Sequence, residues 1–152
     1  MKKLTALALA LVLVLSLSVI AFAADARDTN ITTSIDPTYT VTIPADTNVT
    51  FNALSTSFGS VTLTAAQIDP GYAVKVELTA GGTLKNQADA TKSIAYAIND
   101  ANGAFTGAQY TTAGDKTDLT IDITQEAWNA AFAGQYSDTV TFTVSYVSTV
   151  TP

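Results

Sequence analysis

The chain has 152 residues, with 13 acidic side chains, 7 basic ones, no histidine and no cysteine. Without histidine it holds no Ser-His-Asp or Cys-His site and no histidine-ligated zinc or copper; without cysteine it has neither a disulfide framework nor a thiol for a lipid anchor. The acidic balance argues against nucleic acid, whose binding needs clustered Lys and Arg, and against attraction to anionic membranes or wall polymers.

Met1-Lys2-Lys3 is basic, Leu4 to Ile20 is uncharged and rich in Leu, Ala and Val, and Ala21-Phe22-Ala23 is an A-x-A site. This order predicts a signal peptide over residues 1–23, cut after Ala23, and therefore a secreted, extracellular product, released or associated with the cell surface. A retained anchor would need ~20 apolar residues, and the polar Asp25-Ala26-Arg27-Asp28 that follows the A-x-A favours cleavage. Loss of Lys2 and Lys3 takes the net charge from −6 to −8. What remains suits one domain, which hides roughly two-thirds of its unfolded surface.

Residues 24–37 (ADARDTNITTSIDP) read as a polar N-terminal leader and 38–152 as a single domain. If the leader is extended, Ile31 and Ile35 share a face. The segment Asn30 to Ile35 then either forms a short first strand of its own domain or adds to the sheet edge of a neighbouring subunit.

From Tyr39 onward the pattern has period two. Apolar residues alternate with polar or small ones over 39–43, 49–53, 61–64, 72–79, 94–98, 118–123 and 139–146. Such runs place one row against a core and one toward water, and Thr and Val suit a pleated surface. Turn residues separate the runs, among them Asp69-Pro70-Gly71, Gly81-Gly82 and Asn102-Gly103. The expected fold is all-β: an immunoglobulin-like two-sheet β-sandwich of about seven strands, with one short helical turn before the last. Thr64 to Gln67 reads as a short turn. Thr124 is a candidate N-cap for the helical turn, whose Trp128 and Phe132, at i and i+4, would fold as a lid over an open end. Tyr136 stands where such sandwiches tie a tyrosine hydroxyl back to a loop backbone. The closing strand is longer than average; it is expected to be central, with Val140, Phe142 and Val144 in the interior.

"YTVTIPA" (Tyr39 to Ala45) and the stretch from Trp128 to Tyr146, with its "GQYSDTVTFTVSY", carry a resemblance. The chain resembles small secreted surface proteins of Gram-positive bacteria. It is similar to spore coat protein U-like and pilin-like domains and, distantly, to WxL-type surface domains, although it lacks the WxL tripeptide itself. The resemblance implies a structural or adhesive role outside the cell and brings no catalytic residues.

Candidate chemistry is sparse. Asp100, Asn102, Asp115 and Asp118 are candidate calcium ligands, with Asp122 nearby in sequence, but the EF-hand order and its closing Glu are missing. The rival reading of Asp100 to Gly103 is a hairpin turn. Glu77 and Glu126, the two glutamates, have nothing to set them opposite each other as a glycosidase needs, so no enzyme is expected. Lys75 or Lys85 would need burial to form an isopeptide crosslink, and Lys75 alternates with inward residues. Phe105 and Tyr110 lie in the long 101–116 connection and are candidate ligand contacts; Trp128 has a sugar-stacking reading beside that of a lid.

The expectation is a non-catalytic extracellular structural or adhesive protein, a cell-surface, matrix or appendage subunit, with a secreted carbohydrate-binding module as the alternative. No cofactor is implied. Expected partners are further copies or other cell-surface proteins, joined by strand addition, with no nucleic acid and, after signal cleavage, no membrane. No LPxTG signal follows the last strand, so surface retention would need a partner or polymerisation.

Overall fold

The computed structural model describes residues 29–150; the signal peptide expected over 1–23 lies outside them. The chain divides into two units, Met1–Ser34 and Ile35–Pro152. The described part of the first, 29–34, carries neither helix nor strand.

The second unit is an all-β sandwich. Its strands are β1 (Thr38–Thr42), β2 (Ser55–Gln67), β3 (Tyr72–Thr79), β4 (Thr83–Asn86), β5 (Ser93–Ala95), β6 (Ala97–Asp100), β7 (Gly103–Ala104), β8 (Gly107–Tyr110), β9 (Lys116–Asp122), β10 (Tyr136–Ser137) and β11 (Thr141–Ser148). A single helix among the described residues, α1 (Gln125–Asn129), starts at an N-cap Thr124 whose hydroxyl accepts from the Ala127 N–H. No helix among the described residues is long and apolar enough to cross a membrane.

The strands form three antiparallel sheets, ordered β1-β2-β9-β6-β7, β11-β3-β8 and β10-β4-β5. The second and third continue one another. β3 leads into β4 just as β10 leads into β11, and the ladder runs from Thr79↔Thr141 to Lys85↔Ser137. Five residues (80–84) on one side stand against three (138–140) on the other, a bulge that splits one layer into two short sheets. The five-stranded sheet is the other layer.

β2 shows how side-chain parity is managed. Thr56 and Phe58 face in before Gly59, and Val61 and Leu63 after it. The pairing slips at Gly59, whose φ of 102° a residue with a Cβ rarely adopts. A second slip leaves Thr64 unpaired between Ala65↔Thr40 and Leu63↔Val41. The expected turn at Thr64 to Gln67 is therefore a bulge inside a continuous strand. The break in alternation was real, but the chain does not reverse there.

The core between the layers contains Val61, Leu63, Val74, Val76, Ile94, Ile98, Leu119, Ile121 and Ile123, each less than a tenth exposed. Trp128 joins it from α1, with its indole Nε1–H donating to the Ala53 carbonyl at 2.9 Å.

Three expectations are corrected. The run at 49–53 is not a strand: Thr50 to Ala53 turns, Asn52 has φ 63°, and Phe51 is 71% exposed. The run at 94–98 breaks at Tyr96, so that β5 and β6 lie in different sheets. The closing strand is not central: among the described residues β11 pairs with β3 alone and forms the edge of its sheet. Its length matches β3 residue for residue, so length reflects the reach of one ladder and does not require two neighbours.

Candidate functional site

No described strand crosses the side of the sandwich where β1 and β11 meet. Among the described residues rings, not backbone bonds, link these edges: Tyr39 stacks on Tyr146 at 5.9 Å, and Phe58 from β2 lies 6.2 Å from Phe142. Tyr72 stacks on the other face of Tyr146 at 4.9 Å. The Tyr146 hydroxyl accepts from the Asp69 N–H and donates to the Asp69 carboxylate. Val140 and Phe142 are half-buried, and Val144 on the same inward row is 38% exposed. The expected interior placement of these three is thus only partly met. An edge strand has a neighbour on one side only, which leaves its inward row partly wet.

Past the tyrosines the seam widens into a groove of about 1220 Å³. Its floor is Phe58, Ile94, Ile121 and Trp128; one wall is the Ile43–Val49 loop and the other runs from Phe132 to Phe142. Pro44 and the turn at Thr50 to Ala53 carry the chain off the edge of β1, so no strand among the described residues covers this end.

Two exposed rings stand in the groove beside Trp128. Phe51 meets it edge-on, with centroids 5.6 Å apart and planes at 79°. Phe132, 59% exposed, lies under the Lys92 ammonium at 4.6 Å. The lid expected from Trp128 and Phe132 is thus half correct: Trp128 closes the core, whereas Phe132 faces solvent. Tyr136 fixes Phe132 as its position led one to expect. Its hydroxyl donates to the Phe132 carbonyl at 2.9 Å and accepts from the Phe132 N–H at 3.1 Å. Farther along the same wall Asp138 accepts from the Tyr96 hydroxyl at 2.7 Å. Burial first, then this bond, raises the Tyr96 hydroxyl far above its ordinary pKa, so it remains a donor at any neutral pH.

The residues singled out from sequence lie elsewhere. Phe105 and Tyr110 are 5% and 4% exposed, which corrects their reading as ligand contacts. The connection that holds them is no bare loop. It contains β7 and β8, and Tyr110 pairs with Val74 and faces the core, its hydroxyl donating to Thr117 at 2.8 Å.

The calcium candidates are each engaged locally. Asp100 accepts from the Asn102 N–H in the β6–β7 hairpin, Asp115 accepts from the Thr111 and Thr112 N–H groups, and Asp118 pairs with Lys116 at 3.1 Å. Among the described residues no three acids come together as a metal would need. Asp122 accepts from Ser55, Asn99 and Thr120. Lys75 points outward onto Glu77 at 2.7 Å.

Phe51, Tyr96 and Asp138 escaped the sequence reading. Phe51 looked like an inward strand residue; its one contrary signal was Asn52, which tolerates positive φ.

No family model matches the chain, and no curated protein matches it either.

Proposed function

We propose that the chain is a non-catalytic extracellular structural or adhesive protein, a subunit of a cell surface, matrix or appendage, that joins its neighbours by strand addition. The observation that carries this reading is the edge of β11, which among the described residues pairs with β3 on one side and with no strand on the other. It is eight residues long and contains neither Pro nor Lys. Natural proteins blunt such edges with charge, Pro or a covering element. Here about half of the strand's backbone N–H and C=O groups face no ladder partner, beside the half-exposed Val144. An added strand would satisfy those groups and cover the inward row. Asn30 to Ile35, with Ile31 and Ile35 on one face if extended, has the pattern to supply such a strand to a neighbour. The apolar segment at 4–20 followed by A-x-A supports export.

Size-exclusion with light scattering and electron microscopy of the purified protein test the proposal. Association is expected, and Val144→Lys, an inward-pointing charge at a half-open position, should abolish it while leaving the thermal transition in place. A protein that stays monomeric at all concentrations and is missing from cell-surface fractions would overturn it.

A further inference from the structure

We propose that the ring-lined end of the groove, at Phe51, Trp128 and Phe132, is a binding site for a neutral oligosaccharide. The inference goes beyond self-association, since it concerns the end of the groove away from the tyrosine stack, lined among the described residues by a loop, a helix end and the two-residue β10.

The rings come first. Phe51 and Phe132 are among the most exposed large apolar side chains of the sandwich unit, yet both line a concavity. Exposed aromatics gathered in a concave place mark a ligand surface more than chance exposure does. They are also held in position. Phe51 leans on an indole anchored to Ala53, and the Phe132 backbone is clamped at both N–H and C=O by Tyr136. Little ordering is left to oppose binding.

Polar groups lie within the same groove. Asp138 accepts from Tyr96 on one carboxylate oxygen and from the Thr139 N–H on the other. Each oxygen keeps a further lone pair to accept with. Asn48, Gln87 and Gln135 add amide donors and acceptors. A pyranose ring offers what this arrangement lacks: a flat C–H face to lie on a phenyl ring and a rim of hydroxyls for carboxylate and amide partners.

Charge narrows the class. Asp46 and Asp138 line the groove, Lys92 is engaged over Phe132, and the chain carries net charge −6. Phosphorylated or uronic acid polymers would be repelled. An extended peptide would need a backbone ladder. The walls here offer a loop, a helix end and the two-residue β10.

Trp128 is the sole tryptophan of the chain, so its emission reports on the site. The test titrates the purified protein with mixed-linkage β-glucan, xylan, mannan and chitohexaose, following Trp128 emission and retardation in affinity electrophoresis. At least one polymer should shift the emission and retard the protein. Phe51→Ala and Phe132→Ala should each weaken that binding about tenfold, while Tyr72→Ala, an exposed ring outside the groove, should not. Circular dichroism checks each variant; the response of the unaltered protein stands even if one variant misfolds. Silence toward the whole panel overturns the proposal, as does binding that both Phe variants leave intact. A synthetic Asn30–Pro37 peptide that shifts Trp128 emission where no sugar does also overturns it and assigns the groove to a strand. Val144→Lys should bind sugar like the unaltered protein, so failure of self-association and failure of this site are read separately.

Discussion

Asn86 is the one buried polar side chain among the described residues, at 5% exposure. Its carbonyl oxygen accepts from the Ala88 and Asp89 N–H groups at 2.9 and 3.2 Å, and its amide reaches the Ala133 carbonyl at 3.4 Å. It thereby shapes the loop that carries Lys92 to Phe132 and ties β4 to the segment before β10. Asn86→Ala leaves loop N–H groups without an acceptor and should cost about 1–3 kcal/mol in urea unfolding. Asp122 makes a second kind of prediction. The Ser55 hydroxyl first, then the Asn99 amide, hold its carboxyl below the ordinary range against the opposing effect of burial. Its folded pKa lies below the unfolded value of about 3.9. The stabilisation is therefore complete above that value and disappears as pH falls through the folded pKa. Asp122→Asn should lower the melting temperature at pH 6, and its deficit against the unaltered protein should shrink on going to pH 3.

At the scale of elements, backbone approach decides as much as side-chain pattern. A Cβ on Gly107 would sit 2.6 Å from the Val76 carbonyl oxygen and 3.2 Å from the Glu77 Cα, both on β3. β8 therefore lies against β3 only because residue 107 has no side chain. Gly107→Ala must part the ladder and should destabilise by roughly 1–3 kcal/mol, read from the shift in urea midpoint at unchanged slope. The same scale explains which strands were legible. β3, β9 and β11 each alternate without interruption, and alternation is a strong signal when a partner ladder exists. Val49 to Ala53 alternates equally well but has no partner strand among the described residues, because Pro44 and the turn at Asn52 take it off the sheet edge. β4, β7, β8 and β10 span two to four residues, too few for a period to show, and exist because neighbouring strands offer them hydrogen bonds. Tyr96 interrupts nothing in the pattern, yet the chain changes sheet there.

At the scale of the whole molecule, the two layers of the sandwich unit hold a core between them and, among the described residues, leave the β11 edge without a second neighbour. The strand addition we propose would have to bring together copies that each carry net charge −6, or −8 without residues 1–23. Their repulsion reaches about 30 Å at about 0.01 M salt and about 8 Å at about 0.15 M. Association should therefore strengthen over that range, seen as a rise in weight-average mass by light scattering. A fall in mass with salt would mean that ion pairs, not backbone bonds and apolar cover, hold the copies together.

Composition and period by themselves determined that the chain is all-β, that its catalytic repertoire lacks histidine and cysteine, that Thr124 caps a short helix bearing Trp128, and that Tyr136 ties a loop. Each of these is local: a residue type, a spacing of two, or a hydroxyl within a few residues of its partner. Only the tertiary structure decided that β11 is an edge, that Phe105 and Tyr110 are core, and that Phe51 and Phe132 stand in a groove. Those outcomes depend on which ladders form between residues far apart in the chain. Pairing partners, bulges at Gly59 and Thr64, and the break opposite Asp138 set which face of each strand meets water, and the period of a single strand carries no information about its neighbours.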